Sequence, residues 1–153
     1  MVDVYELELD EARNVRLCKE RGIDYNNFVI ENPVEVVNMI DSCFHIRKKA
    51  EERMYLVCMR SNGTVLGIFE MSHGSFDEAF CGIKELFTKV LLLGAIGFVL
   101  VHNHPSGSVK PSSADKFVCH RVSDASRLMD VNFHDFIIIG EGYCSFREEG
   151  LLE

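Results

Sequence analysis

The longest apolar run of the 153-residue chain is VLLLGAIGFVLV, from Val90 to Val101, and it restricts the fold more than any other segment. Gly94 and Gly97 interrupt this twelve-residue run, whereas a membrane-spanning helix needs about twenty apolar residues. We therefore predict that it contains the end of a helix, a glycine stop and a short β-branched strand. The strand should be central and buried, and should end just before His102.

The remaining segments alternate between helical and strand patterns. Before the run, we predict a short helix over 11–22, a helix capped by Asn32 with Pro33 in its first turn, and a hairpin of strands 53–60 and 65–71 around the turn SNGT. A helix over 76–94 leads into the run, and a helix over 112–129 and strands over 135–140 and 143–146 follow it. This order predicts an α/β domain with a mixed sheet flanked by helices.

Charge and cysteine content limit the function classes. The net charge is −8, which opposes non-specific nucleic-acid binding, because such binding relies on Lys and Arg at the phosphates. None of the six cysteines forms a C-x-x-C pair, so a cysteine zinc knuckle is not expected. The acidic N-terminus has no apolar signal core. We therefore expect a cytoplasmic protein with reduced, mostly buried thiols and no membrane association.

The segment VHNHPSGSVKPSSAD, residues 101–115, contains three candidate metal ligands. Alternate residues of an extended chain point the same way, so His102 and His104 can present their imidazoles to one point. Asp115 falls in the first turn of the predicted helix, where the helix dipole favours a carboxylate. Two imidazoles and a carboxylate are the three protein ligands typical of catalytic zinc. Ser112 and Asp115 also fit a plain capping box, and the two roles are compatible.

A metal site of this kind hydrolyses nothing without a proton acceptor beside it. Three carboxylates are candidates from the residues alone: Glu51 and Glu52, which precede a predicted strand, and Glu70 in the next strand. Each has an alternative interpretation as a surface carboxylate, and spacing does not choose among them.

Together, HNHPSG, PSSAD and DFIIIGEGYCSFREEGLL resemble the RadC-like branch of the JAB/MPN (JAMM) metalloprotease superfamily in bacteria. The resemblance covers residues 32–153 and leaves 1–31 as an N-terminal helical extension. It implies a single-domain JAB/MPN fold related to cytidine deaminases, although the H-x-E and P-C-x-x-C elements of a deaminase are absent from the sequence. It also implies that His102, His104 and Asp115 bind Zn²⁺.

The same resemblance implies roles for two more residues. Ser112 matches a serine that stabilises the oxyanion, and Glu52, in the context ERMYLV, matches the general base. The implied activity is that of a zinc-dependent metallopeptidase or isopeptidase that uses a metal-activated water on a peptide or protein substrate of unknown identity.

The alternative is a DNA-repair-associated or protein-interaction module with a structural or vestigial metal site. Family members often carry an N-terminal helix-hairpin-helix region, for which residues 1–31 are too few, so we expect no direct nucleic-acid binding. Small domains of this kind often self-associate, so a homo-oligomer is compatible with the sequence.

Overall fold

The structure is a computed structural model that describes residues 1–74 and 82–152. Its sheet has seven strands and is accompanied by α-helices and a short 3₁₀-helix. In chain order the elements are β1 Val2–Leu9, β2 Val15–Ile23, α1 Pro33–Phe44, the 3₁₀-helix Ile46–Lys48, β3 Glu52–Met59, β4 Val65–Gly74, α2 Ile83–Leu93, β5 Gly97–Asn103, α3 Ser113–Met129, β6 Asn132–Ile139 and β7 Tyr143–Ser145.

The strands form one mixed sheet in the order β2-β1-β4-β3-β5-β6-β7. The pairs β1/β4 and β5/β6 are parallel, and the other neighbouring pairs are antiparallel. The sheet carries helices on both faces, which confirms the predicted α/β class with a mixed sheet.

Two hydrophobic cores lie on opposite faces of the sheet. Strand residues such as Leu56 and Phe98 pack with Leu86 of α2 and Val122 of α3 in the first core. Alternate residues of the same strands, such as Tyr55 and Val57, pack with α1 in the second core. Because side chains alternate along a strand, successive residues of one strand enter the two cores in turn.

Local sequence signals explain several boundaries. Asn32 caps α1, where its Oδ1 accepts a hydrogen bond from the Glu35 N–H at 3.1 Å. Gly94 ends α2 with φ 70°, and Gly63 makes the turn between β3 and β4 with φ 83°, a conformation that glycine adopts without steric cost. The predicted caps and turn at these three positions are confirmed.

The helix predicted over 11–22 is wrong, and residues 1–31 are not a helical extension. Most of 11–22 belongs to β2, which pairs along its whole length with β1. Val4 of β1 in turn pairs with Ile68 of β4. Helix propensity is a weak preference, and here the backbone pairing along a sheet edge outweighs it. Residues 1–31 thus extend the sheet by two strands.

Two other boundaries differ from the prediction. Strand β5 runs through Asn103 rather than ending before His102, because it continues to pair with β6 as far as Ile139. Helix α2 begins at Ile83, and residues 75–81 of the helix predicted over 76–94 lie outside the described residues.

Five cysteines belong to the described part of the chain, and all five carry free thiols. Cys58, Cys119 and Cys144 are buried, as expected, whereas Cys18 and Cys43 are partly exposed. Cys81 lies outside the described residues. Within 1–74 and 82–152, every helix is too short or too polar to cross a bilayer.

Candidate metal centre

Two histidines converge at the carboxyl end of β5. His102 is still on the strand, fully buried between Met54 of β3 and Ile138 of β6. His104 lies just beyond it, and its N–H donates to the Ile139 carbonyl at 2.9 Å, which keeps this part of the chain extended. The imidazoles therefore emerge on one face, with ring centroids 5.1 Å apart and planes at 83°.

The first turn of α3 supplies the carboxylate. Ser112 and Asp115 form a reciprocal capping box: the Asp115 N–H donates to Ser112 Oγ at 3.1 Å, and the Ser112 N–H donates to Asp115 Oδ2 at 2.7 Å. This pair satisfies two N–H groups at the helix start and holds the Asp115 side chain in place. Asp115 is 0% exposed although it is a carboxylate.

The two imidazoles and the carboxylate face one another. One candidate ligand atom from each residue can be chosen so that all three lie within 4.8 Å of one another. His104 Nε2 lies 3.1 Å from Asp115 Oδ2, and His102 Nε2 lies 3.7 Å from Asp115 Oδ1. The structure therefore brings together the three residues that the sequence singled out as ligands.

Backbone carbonyls fix the orientation of both rings. His102 Nδ1 lies 3.1 Å from the Arg53 carbonyl oxygen, and His104 Nδ1 lies 3.0 Å from that of Ser108. A carbonyl oxygen only accepts, so each Nδ1 carries the proton and donates it. Each Nε2 is then the nitrogen presented to Asp115. Metal-binding histidines in proteins are typically oriented by such a bond from the other ring nitrogen.

The electrostatics of the three groups are coupled. Burial lowers the pKa of His102 to about 4, against the opposing charge of Asp115, so this imidazole is neutral at pH 7. The hydrogen bond with Asp115 raises the pKa of His104, despite its partial burial. Burial alone would raise the pKa of Asp115, but the hydrogen bonds from His104 and from the Ser112 backbone outweigh it and lower this pKa.

A divalent cation fits this arrangement. Asp115 Oδ1 is buried and accepts no hydrogen bond from residues 1–74 or 82–152. A buried carboxylate oxygen without a donor is costly, and a cation between it and two imidazoles would compensate that charge. Nitrogen and oxygen ligands in a set of three suit zinc with one coordination position left for water or substrate.

Of the three candidate bases, Glu52 lies on the face that carries the histidines. It is the first residue of β3, two residues before Met54, which faces His102 across the ladder. Its negative charge is one cause of the raised pKa of His104, after the hydrogen bond with Asp115. Its role as general base stays a prediction.

The other two acidic candidates lie outside strand β3. Glu70 of β4 forms an ion pair with Arg53 at 2.8 Å, and both residues lie beside Tyr55, which faces the second core. Glu51 precedes the strand and is exposed. The structure therefore does not bring Glu70 to the face where the histidines converge, and the choice between Glu51 and Glu52 stays a prediction.

Ser112 is exposed beside Asp115 as the N-cap of α3. Its hydroxyl oxygen accepts the Asp115 N–H, which leaves the hydroxyl proton available for donation. The capping role is therefore compatible with the oxyanion role, which stays a prediction.

Two cavities lie along the sheet, and neither encloses the three candidate ligands. One, of about 340 Å³, borders His104, where Pro105, Gly107 and the 3₁₀-helix line it. A second, of about 410 Å³, lies between the start of α1 and strands β6 and β7 and includes none of the predicted site residues. The first cavity shares only His104 with the predicted site, so the convergent ligand set, rather than a cavity, locates the chemistry.

Sequence reasoning missed Asn103, which lies between the two histidines. This side chain is 2% exposed and forms hydrogen bonds with the backbone on either side of Glu52. The only available signal was its position inside the H-x-H pattern, where the middle residue is easily treated as a spacer.

The chain is similar to a known family and to proteins of several bacteria. The family model described as RadC-like JAB domain matches residues 30–151. A "UPF0758 protein" of Clostridium acetobutylicum is 32% identical over 129 residues, which cover 84% of this chain and 56% of the relative. A relative of the same name from Rubrobacter xylanophilus is 32% identical over 94% of this chain and 61% of the relative. Another, from Thermotoga maritima, is 31% identical over 74% of this chain and 54% of the relative. The chain thus spans little more than half the length of these relatives.

Proposed function

Because this chain belongs to the family of RadC-like JAB domains, we propose that it is a zinc-dependent hydrolase of peptide or isopeptide bonds. We also propose that it acts in the cytoplasm, in line with the free thiols of its described cysteines. Its substrate would be a peptide or protein.

One observation carries the proposal. The Nε2 atoms of His102 and His104 face the carboxylate of Asp115, while both Nδ1 atoms are already committed to backbone carbonyls. A purely structural cluster of buried histidines does not require this division between the two ring nitrogens. The buried Asp115 oxygen that lacks a donor within the described chain gives further support.

Each residue has a defined task in amide hydrolysis. His102, His104 and Asp115 would hold the metal. A bound Zn²⁺ supplies Lewis acidity that polarises a carbonyl group and lowers the pKa of water. As water adds to the carbonyl carbon, the Glu52 carboxylate accepts its proton and later transfers a proton to the leaving nitrogen when the C–N bond breaks. The Ser112 hydroxyl donates a hydrogen bond to the developing oxyanion.

The test combines metal content with hydrolysis. Wild-type protein should hold about one zinc per chain by elemental analysis, and His102→Ala and His104→Ala should lose it. Glu52→Gln should keep the zinc but lower the cleavage of a mixture of fluorescence-quenched peptides by about 10²–10⁴-fold. Glu70→Gln is the matched control, because it removes the same charge from a carboxylate that pairs with Arg53. Glu51→Gln tests the alternative base and should retain activity.

Two results would contradict the proposal. Unchanged zinc content in both histidine variants would remove the metal site, and full activity in Glu52→Gln would remove the base. Tight, salt-sensitive DNA binding by a protein that hydrolyses none of the peptides would favour the DNA-associated alternative.

A further inference from the structure

Asn103 continues the contact between β3 and β5 beyond the point where the strand ladder ends. The last paired residues of that ladder are Met54 and His102. One step further, the Arg53 N–H donates to Asn103 Oδ1 at 2.5 Å, and Asn103 Nδ2 donates to the Glu51 carbonyl at 3.2 Å. The side-chain amide therefore bonds to the first part of β3 and to the residue before it, where the backbone pairing has stopped.

The two hydrogen bonds of Asn103 enclose a single residue, Glu52. One bond is made to the peptide group before Glu52 and the other to the peptide group after it. His102 adds a third contact, because its Nδ1 donates to the Arg53 carbonyl. On the opposite side, β3 pairs with β4 as far as Glu52 itself. The backbone of Glu52 is thus held from both neighbouring strands.

We propose that Asn103 is a positioning residue that holds Glu52 on the same face as His102 and His104. This inference rests on the proposed function, in which Glu52 is the general base. Side chains alternate along a strand, so a local change in the path of β3 would turn the Glu52 carboxylate away from the histidines. Asn103 touches the backbone that carries the base, and it is neither a metal ligand nor a catalytic group.

Asparagine suits this task because its amide has both a donor and an acceptor. Aspartate, when ionised, accepts only, so it could keep the bond from the Arg53 N–H but not the bond to the Glu51 carbonyl. Leucine has nearly the same shape and makes neither bond. Both substitutions keep the branching and the number of heavy atoms of the side chain, and together they separate the two contacts.

The experiment compares Asn103→Leu and Asn103→Asp with wild type and with Val99→Ala. Val99 is a buried residue of β5 in the second core, so its truncation weakens the same strand without touching the amide contacts. Hydrogen exchange of the Arg53 amide, measured by NMR in metal-free protein, reports the contact directly. Zinc content, kcat and KM are measured on the quenched peptide that wild type cleaves best.

In Asn103→Leu, the Arg53 amide should exchange roughly tenfold faster, because its buried acceptor is lost. Zinc content should match wild type, and kcat should fall at least tenfold while KM stays constant, since the base is misplaced and substrate binding is not. Asn103→Asp should retain the protection of the Arg53 amide. Val99→Ala should lower stability and leave kcat unchanged. The double variant Asn103→Leu/Glu52→Gln should be no slower than Glu52→Gln alone.

The proposal is overturned if Arg53 exchange in Asn103→Leu matches wild type, or if kcat is unchanged while Glu52→Gln is inactive. A further loss of activity in the double variant would also overturn it, because Asn103 would then act independently of Glu52. Failure of the proposed function is distinguishable, since it appears as wild-type protein without zinc or as fully active Glu52→Gln. Arg53 exchange in metal-free protein decides the Asn103 contact even then.

Discussion

Replacement of Ser112 by alanine should separate two roles that meet in one hydroxyl group. As the N-cap of α3, Ser112 Oγ accepts the Asp115 N–H at 3.1 Å, and the variant loses this bond. Loss of an N-cap of this type costs about 1 kcal/mol. For a domain of this size the melting temperature should fall by roughly 2–4 °C. The reciprocal bond from the Ser112 N–H to Asp115 Oδ2 uses the backbone, so it can remain.

The catalytic effect of the same substitution should be much larger than its effect on stability. If the hydroxyl donates to the oxyanion, its removal should lower kcat by about 10²–10³-fold, which is the usual cost of losing one such donor. Zinc content should stay near one per chain, because all three ligands remain and half of the capping box still holds Asp115. The assay pairs a thermal melt with steady-state cleavage of a quenched peptide.

Two control variants make the Ser112 result decisive. Ser112→Thr keeps the hydroxyl and should retain most of the stability and activity, whereas Ser113→Ala truncates the exposed neighbour and should change neither. A kcat in Ser112→Ala equal to that of Ser113→Ala would refute the oxyanion role. An unchanged melting temperature would refute the estimate of the capping energy.

Two further predictions concern the metal and a buried carboxylate. A chelator should lower the melting temperature of wild type, since zinc at 100 times its Kd would stabilise the folded state by about 2.7 kcal/mol, and His104→Ala should not respond. Burial raises the pKa of Asp135 in the folded state above the ordinary value of about 3.9, so its stabilising contribution is complete below that pH and is lost as pH rises through the folded pKa. As pH rises through this range, the urea midpoint of wild type should fall relative to that of Asp135→Asn. Parallel pH curves for the two proteins would contradict the raised pKa of Asp135.

The sequence predicted those elements whose signals are local. The cap at Asn32, the glycines at 63 and 94 and the capping box at Ser112 all act within a few residues, so composition and spacing were sufficient to find them. The segment 11–22 failed for the opposite reason. Its arginine, lysine and glutamate residues tolerate a helix, but β2 forms because β1 offers a complete antiparallel partner. The sequence of 11–22 alone gives no signal of that pairing.

The candidate site also combines residues found from local signals with a residue whose position depends on long-range pairing. The predicted ligands fall within 102–115, where strand alternation and a capped helix bring them together. Glu52 is about fifty residues away in sequence, and its place depends on the register of β3 against β5. A shift of one residue in that register would present Glu51 or Arg53 to the histidines instead. The choice among the acidic candidates therefore depends on this register, which sequence spacing does not reveal. Asn103 contributes to the register because it bonds to the peptide groups before and after Glu52. Asn103, the middle residue of H-x-H, thus connects the ligands of residues 102–115 with Glu52, which is distant in sequence.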